Sequence, residues 1–402
     1  MSDPDEKVVV KNLFKVFGAH PEKAVALANS GMGKDEVFAK TGLSIGVNNA
    51  SFSVREGEIF VVMGLSGSGK STLIRMINRL IRPTSGAVFF EGKDVAKMRR
   101  DELTRMRREK MSMVFQSFAL MPHMTVLKNA AFALEISEVP EKDRERRAME
   151  ALDQVGLKPY AQSRPDELSG GMRQRVGLAR ALAADPCVML MDEAFSALDP
   201  LIRTEMQDEL LKLQAEKTRA IVFISHDLDE AMRIGDRIAI MEGGRIVQTG
   251  SPEEILRNPA DDYVRAFFRG VDPTNILTAG QLAEKKYATI TRRGGEGPRV
   301  AIQRIRDRDR GPYAYALDRS RRFLGVVSAD SLGAILGSDM ENSLESALIH
   351  GATAVKSDSV LQDAAEMIIH SDWAAPVVDD DNRYMGAISK NRFLRALSRN
   401  TS

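Results

Sequence analysis

The segment GLSGSGKS, residues 64–71, constrains this chain more than any other feature of it. It fits the pattern G-x-x-x-x-G-K-[ST] and lies between an apolar run, IFVVM, and a helix-forming stretch, TLIRMINRL. The glycines allow successive backbone N–H groups to close around phosphate oxygens. Lys70 reaches the β- and γ-phosphates, Ser71 offers a hydroxyl to Mg2+, and the helix N-terminus adds partial positive charge. Gly64, Ser66, Gly67, Ser68, Gly69, Lys70, Ser71 and Thr72 are therefore candidate nucleotide-binding residues. A loop of this kind needs a buried strand before it and a helix after it, which points to an α/β protein.

The chain from Val8 to about Val264 agrees with that expectation. Short β-branched runs, EIFVVMG (58–64), MSMVFQ (111–116), CVMLMDE (187–193), AIVFISHD (220–227) and RIAIMEGG (237–244), alternate with amphipathic stretches. Apolar runs spaced in this way read as buried parallel strands. VMLMDE (188–193) carries Asp192 to the C-terminal tip of its strand, where ligands bind in open α/β sheets. Asp192 is placed to hold Mg2+ through water, and Glu193 to act as general base toward an attacking water. Residues 19–46, Ala- and Lys-rich and helix-forming, interrupt the first strand region as an insertion.

Composition removes several function classes. With 57 Lys+Arg against 56 Asp+Glu, the whole chain lacks the basic excess of a nucleic-acid binder. Its 402 residues suit two to three domains of about 100–200 residues each. No apolar run approaches the ~18 residues of a membrane-spanning helix. The opening MSDPDEKVVV is acidic and does not resemble a signal peptide. A single cysteine, Cys187, cannot form an internal disulfide and reads as a small core residue of a cytosolic protein.

Residues 276–402 follow a different pattern of short strand–helix units, with the Arg-rich run RIRDRDRG (304–311) expected as a solvated loop. FLGVVSADSLGAIL (323–336) parallels YMGAISKNRFLRAL (384–397), and the matching Ser328 and Ser389 stand 61 residues apart. That period favours a tandem of two small α+β modules over coincidence between two ordinary strand–helix turns.

LSGGMRQRVGLARAL (168–182) precedes Asp192 and SALD (196–199) follows it. With the phosphate loop and the Asp-Glu strand, these segments resemble the ATP-binding cassette (ABC) ATPases, whose signature is LSGGQ. Here the fifth position is Met172, while Ser169, Gly170 and Gly171 keep the hydroxyl and N–H groups that bind a γ-phosphate at a helix N-terminus. The resemblance implies an RecA-like α/β core, an antiparallel β subdomain and an α-helical subdomain, with ATP and Mg2+ as ligands. It also implies roles for single residues. Gln116 contacts Mg2+ or the lytic water, His226 contacts the γ-phosphate, and Asp199 closes SALD among the ATP-binding residues. Phe17 stacks on adenine, a core phenylalanine being its other reading. In this family two chains complete each other's sites, so a homodimer is implied, with Ser169 and Gly171 of one copy facing Lys70, Ser71, Asp192 and Glu193 of the other.

Across nearly its full length the chain is similar to the ATP-binding subunits of glycine betaine/proline betaine importers. The matching segments include KNLFKVFG (11–18), MVFQSFALMPHMTVL (113–127), VMLMDEAFSALDP (188–200) and NPADDYVRAFFRGVD (258–272). The similarity implies residues 1–275 as the ATPase domain, with 19–46 as a subfamily insertion, and 276–402 as a tandem of cystathionine-β-synthase (CBS) modules. It implies integral-membrane permease partners at the inner face of the membrane, an extracytoplasmic betaine-binding protein as an indirect partner, and no nucleic acid. QSFALMPHMTVLKNAAFAL (116–134) is expected to expose Phe118, Leu120, Met121 and Met124 toward a permease helix, or to pack them locally. In nucleotide-binding CBS modules an Asp stands three residues after the Ser/Thr. Here Ser331 and Arg392 occupy those positions, with Asp330 and Asn391 one residue early. That leaves a packing or ionic-strength-sensing role open for the tail. Amino-acid or polyamine importers, and non-transport ABC ATPases, remain the alternative functions.

Overall fold

Apolar runs of four or five residues fold here as strands covered on both faces. A computed structural model describes residues 5–116, 119–196, 198–216, 218–268, 274, 277–291, 298–307, 311–336 and 344–398. Two compact units divide the chain at Phe268/Arg269. The boundary expected at 275/276, Phe118, and Ala197 of the SALD segment lie outside the described residues.

The strands of the first unit are β1 (Glu6–Phe17), β2 (Ser44–Arg55), β3 (Ile59–Met63), β4 (Ser85–Phe90), β5 (Lys93–Asp94), β6 (Met111–Val114), β7 (Val188–Asp192), β8 (Ala220–Ser225), β9 (Arg237–Glu242) and β10 (Arg245–Gly250). Six of them form one sheet in the order β10-β9-β3-β8-β7-β6. Its pairs are parallel except for the edge strand β10. Every residue of β3, β7 and β8 is buried. A separate antiparallel sheet, β2-β1-β4-β5, shares its core with the first. Phe52 of β2 stacks on Phe60 of β3 with centroids 4.9 Å apart. Three helices, Val126–Ile136, Glu141–Gln154 and Gly170–Ala183, pack against one another as the helical layer.

The 19–46 insertion is a pair of helices, Glu22–Asn29 and Lys34–Thr41, over a small core of Val16, Ala24, Ala28, Val37 and Ile45. Its last three residues are not helical linker but the first turn of pairing in β2. Cys187 is half-buried against the main core, and burial pushes its thiol pKa up, which keeps it an inert packing residue.

The second unit repeats itself. Its strands are β11 (Ala288–Thr291), β12 (Tyr313–Leu317), β13 (Phe323–Ser328), β14 (Val355–Lys356), β15 (Ala375–Val378) and β16 (Tyr384–Ile388). In each three-stranded sheet the first pair is parallel and the second antiparallel. Gly325 and Gly386 share φ near 155°, and Arg321 and Asn382 are both left-handed. The two turns clasp each other reciprocally: Phe323 N–H donates to Asn382 O at 2.9 Å and Tyr384 N–H to Arg321 O at 3.0 Å.

The Arg-rich run corrects the reading from sequence. Arg304–Asp307 end the helix Pro298–Asp307, which buries Ala301 and Ile305 four residues apart. The arginines are the solvent face of an amphipathic helix and not a loop, and 308–310 lie outside the described residues.

Candidate active site

The phosphate loop leaves the buried end of β3 and turns into helix Lys70–Ile77. Gly69, the N-cap, has φ 105°, and a Cβ there would stand 2.0 Å from Gly46 O. Only glycine permits that approach. Gly67, at φ 78°, faces open space. Lys70 is buried and donates to Gly64 O at 2.8 Å and Leu65 O at 3.1 Å. Burial lowers its pKa, while Glu193 and Asp192 act in the opposite direction. Ser68 Oγ is buried with no hydrogen-bond partner.

Asp192, at the end of β7, is 3% exposed. Its Oδ1 accepts from Ser71 Oγ at 2.8 Å and its Oδ2 from Arg75 Nη2 at 3.2 Å. Glu193 follows in a left-handed conformation, φ 48°, pinned by its N–H to Ile224 O. The turn separates the two carboxylates. Gln116 Nε2 donates to Glu193 Oε2 at 3.2 Å, and His226 Nδ1 lies 3.4 Å from the same oxygen. Gln116, Glu193 and His226 thus converge from three strand ends beside Lys70, Ser71 and Asp192.

An orphaned buried hydroxyl, a preformed ammonium and a strained glycine loop fit a polyphosphate. The Ser71–Asp192 oxygen pair fits one face of Mg2+, which is typically held by one or two carboxylates with phosphate and water. Phe17 is not a core residue: it is 44% exposed and lies against Gly46, whose added Cβ would meet its ring at 2.8 Å and Thr72 Cγ2 at 3.4 Å.

Ser169 caps helix Gly170–Ala183 by accepting from Met172 N–H at 3.3 Å. Position 172 therefore supplies a backbone N–H to the cap whatever its side chain. Gly170 faces open space and Gly171 packs toward Ile202. Asp199 Oδ1 accepts from Ile202 N–H at 3.1 Å, capping the next helix, Pro200–Glu216. Among the described residues no hydrogen bond joins Ser169, Gly170, Gly171 or Asp199 to the 64–72 loop. Leu120, Met121 and Met124 are half-buried instead of exposed. Buried Asn129 ties their loop down, accepting from Met121 N–H at 2.7 Å and donating to Met121 O and Met124 O.

Three neighbours of the loop escaped the sequence reading. Arg75 stands one helical turn after Ser71, a spacing that could have revealed it. Lys34, from the insertion, donates to Gly67 O at 3.3 Å. Tyr263 hydrogen-bonds the backbone of Leu65. Neither has a local signal.

Behind His226, buried Glu230 pairs with Ser225 Oγ and accepts from Gln207 Nε2 at 3.3 Å. Burial raises its pKa, the two hydrogen bonds opposing. A carboxyl raised in the folded state adds stability below its unfolded pKa, and that stability is lost as pH rises through the folded value. Glu230→Gln should therefore raise the melting midpoint more at pH 8 than at pH 5. Thermal melts at the two pH values check this, and an equal shift at both would refute the burial argument.

Known proteins share these features. A family model described as ABC transporter matches residues 47–196, and one described as CBS domain matches 348–399. The chain is 55% identical over 394 residues, 98% of each chain, to the glycine betaine/proline betaine transport system ATP-binding protein ProV of Escherichia coli. It is 46% identical to the glycine betaine transport ATP-binding protein OpuAA of Bacillus subtilis, over 98% of this chain and 93% of that one. It is 50% identical to the trimethylamine N-oxide transport system ATP-binding protein TmoW of Pelagibacter ubique, over 71% of this chain and 83% of that one. Among solved structures, a dimeric ATP-binding cassette in a post-hydrolysis state bound to ADP and Pi superposes with TM-score 0.52 at 32% identity, over 61% of this chain and 98% of that one.

Proposed function

Because the chain belongs to the ABC transporter ATP-binding subunits of the glycine betaine/proline betaine importer family, with a CBS domain in its tail, we propose that it hydrolyses ATP to energise uptake of a quaternary-ammonium osmoprotectant, with its site residues in the roles that follow. The observation that carries the ATPase chemistry is the convergence of Gln116, Glu193 and His226 beside Lys70, Ser71 and Asp192. ATP supplies the phosphoanhydride bond whose hydrolysis drives transport. Lys70 counters phosphate charge from a buried position, and Ser71 with Asp192 holds Mg2+. Arg75 shares Asp192 with Ser71 and so orients the carboxylate that would hold the cation.

Glu193 receives the proton of the attacking water. Gln116 and His226 both hold Oε2, which leaves Oε1 to face that water. Phe17 offers an exposed face to adenine. Ser169, Gly170 and Gly171 serve the site of a second copy, so the working unit is a homodimer whose two sites are each shared. The dimer docks on permease subunits at the inner face of the membrane, and an extracytoplasmic binding protein delivers the cargo to them. The tail, 276–402, regulates this cycle as a pair of CBS modules. Among the described residues no helix is long and apolar enough to cross a membrane.

The similarity to the trimethylamine N-oxide system subunit supports a second cargo of the same chemistry, a compact methylated nitrogen. Co-reconstitution with the permease and binding protein in vesicles distinguishes the two. ATP-dependent uptake of labelled glycine betaine, competed poorly by trimethylamine N-oxide, is expected. Uptake of neither solute, with ATP hydrolysis intact, would overturn the cargo assignment.

A further inference from the structure

The second unit contains a cleft of about 460 Å³, within the ~300–1,000 Å³ range of small-ligand sites. Four of its lining residues are aromatic, and two of these, Tyr287 and Tyr315, are buried behind it. Tyr313 and Trp373 meet at 65° with centroids 5.8 Å apart, forming a corner. Tyr287 and Tyr315 meet nearly at right angles with centroids 6.0 Å apart. One ring already carries a cation: Lys286 Nζ lies 5.9 Å from the Tyr287 centroid. The charged lining has both signs. Glu284 and Asp372 stand with Lys286, Arg392 and Arg395, and Glu284 pairs with Lys286 and, at 3.9 Å, with Arg392.

This lining opposes a nucleotide. Three residues after Ser389, where a carboxylate would accept from ribose hydroxyls, stands Arg392, which has donors only. The Arg392 N–H caps onto Ser389 Oγ at 3.2 Å, so the position is fixed by the helix start. In the first repeat Ser331 is equally committed, in a reciprocal cap with Ser328 at 2.9 Å each way. Phosphates would also meet two carboxylates. A quaternary ammonium has no N–H to donate. It is recognised instead by aromatic faces and nearby carboxylates, and a carboxylate on the same molecule suits a guanidinium.

We propose that this cleft binds a small zwitterion carrying a quaternary ammonium and a carboxylate, with the Tyr313–Trp373 corner and Asp372 taking the cation and Arg392 or Arg395 the carboxylate. The choice of glycine betaine as probe rests on the cargo reading above. If the imported solute is the ligand, the tail reads the product of transport and couples its accumulation to the rate of the ATPase.

Trp373 is the one tryptophan of the chain, so tryptophan emission of the intact protein reports on this cleft. Titration with glycine betaine should give a saturable change in emission. Glycine, which lacks the methyl groups, should give none at equal concentration. Tyr313→Leu and Arg392→Ala should each weaken the response at least tenfold and leave basal ATP hydrolysis unchanged. Arg392 is exposed, so its variant tests the site where Tyr313→Leu fails to fold. No saturable change with betaine, an equal change with glycine, or a response to AMP that betaine does not displace would each overturn the proposal. Vesicle uptake separates the two readings: betaine uptake with silent emission removes only the cleft, and a betaine response without uptake removes only the cargo assignment.

Discussion

Replacing Glu193 with glutamine is expected to slow ATP hydrolysis by about 10²–10⁴-fold, the usual share of a positioned general base, and to leave ATP binding intact. The amide keeps the shape of the carboxylate but cannot take the proton of water. Gln116 and His226 can still contact its outer atoms, so the local geometry should survive. A bound but unhydrolysed nucleotide should then hold two copies together through Ser169, Gly170 and Gly171, which have no hydrogen bond to their own loop among the described residues. Light scattering after size exclusion with and without ATP checks the second outcome, and phosphate release checks the first. A variant that stays monomeric in saturating ATP would remove the shared site. Wild-type turnover would remove Glu193 as the base.

Lys70→Ala is the second large effect. Loss of the ammonium should lower turnover by at least about 10²–10³-fold, the scale for removing one preorganised charge-stabilising donor, and should weaken ATP binding as well. It also strips Gly64 O and Leu65 O of a donor, which costs about 1–3 kcal/mol if they stay buried. A thermal melt therefore belongs beside the kinetics. The assignment predicts that Lys70→Arg, which restores the charge with a larger head, recovers stability more than turnover. Near-normal hydrolysis in Lys70→Ala would sink the site.

The parts of the site that were legible in the sequence are those whose chemistry is local. Lys70 and Ser71 follow from spacing within eight residues, and Asp192–Glu193 from four apolar residues before them. The strand positions of Gln116 and His226 were legible only through family order, since a lone Gln or His after an apolar run has many uses. What the spacing could not carry is long-range. Lys34 reaches Gly67 because the insertion folds on its own small core and presents that helix start to the loop. Tyr263 arrives from the far end of the unit. In the tail, the arginines of 304–307 hid a helix because their charge was more conspicuous than the four-residue spacing of Ala301 and Ile305. The half-burial of Met121 and Met124 depended on Asn129, a polar core residue that no hydrophobic pattern marks.

The reciprocal clasp between the two tail repeats has a kinetic meaning. Each repeat's turn gives its backbone hydrogen bond to the other across about sixty residues of chain, and such non-local pairings form late because loop closure precedes their reward. Each turn also closes on itself, Asp318 N–H donating to Arg322 O at 2.9 Å and Asp379 N–H to Arg383 O at 3.0 Å, so the clasp locks together two turns that are already formed. The repeats should therefore open and close together, with the N–H groups of Phe323 and Tyr384 exchanging with deuterium at one common rate, while helix ends nearby exchange faster.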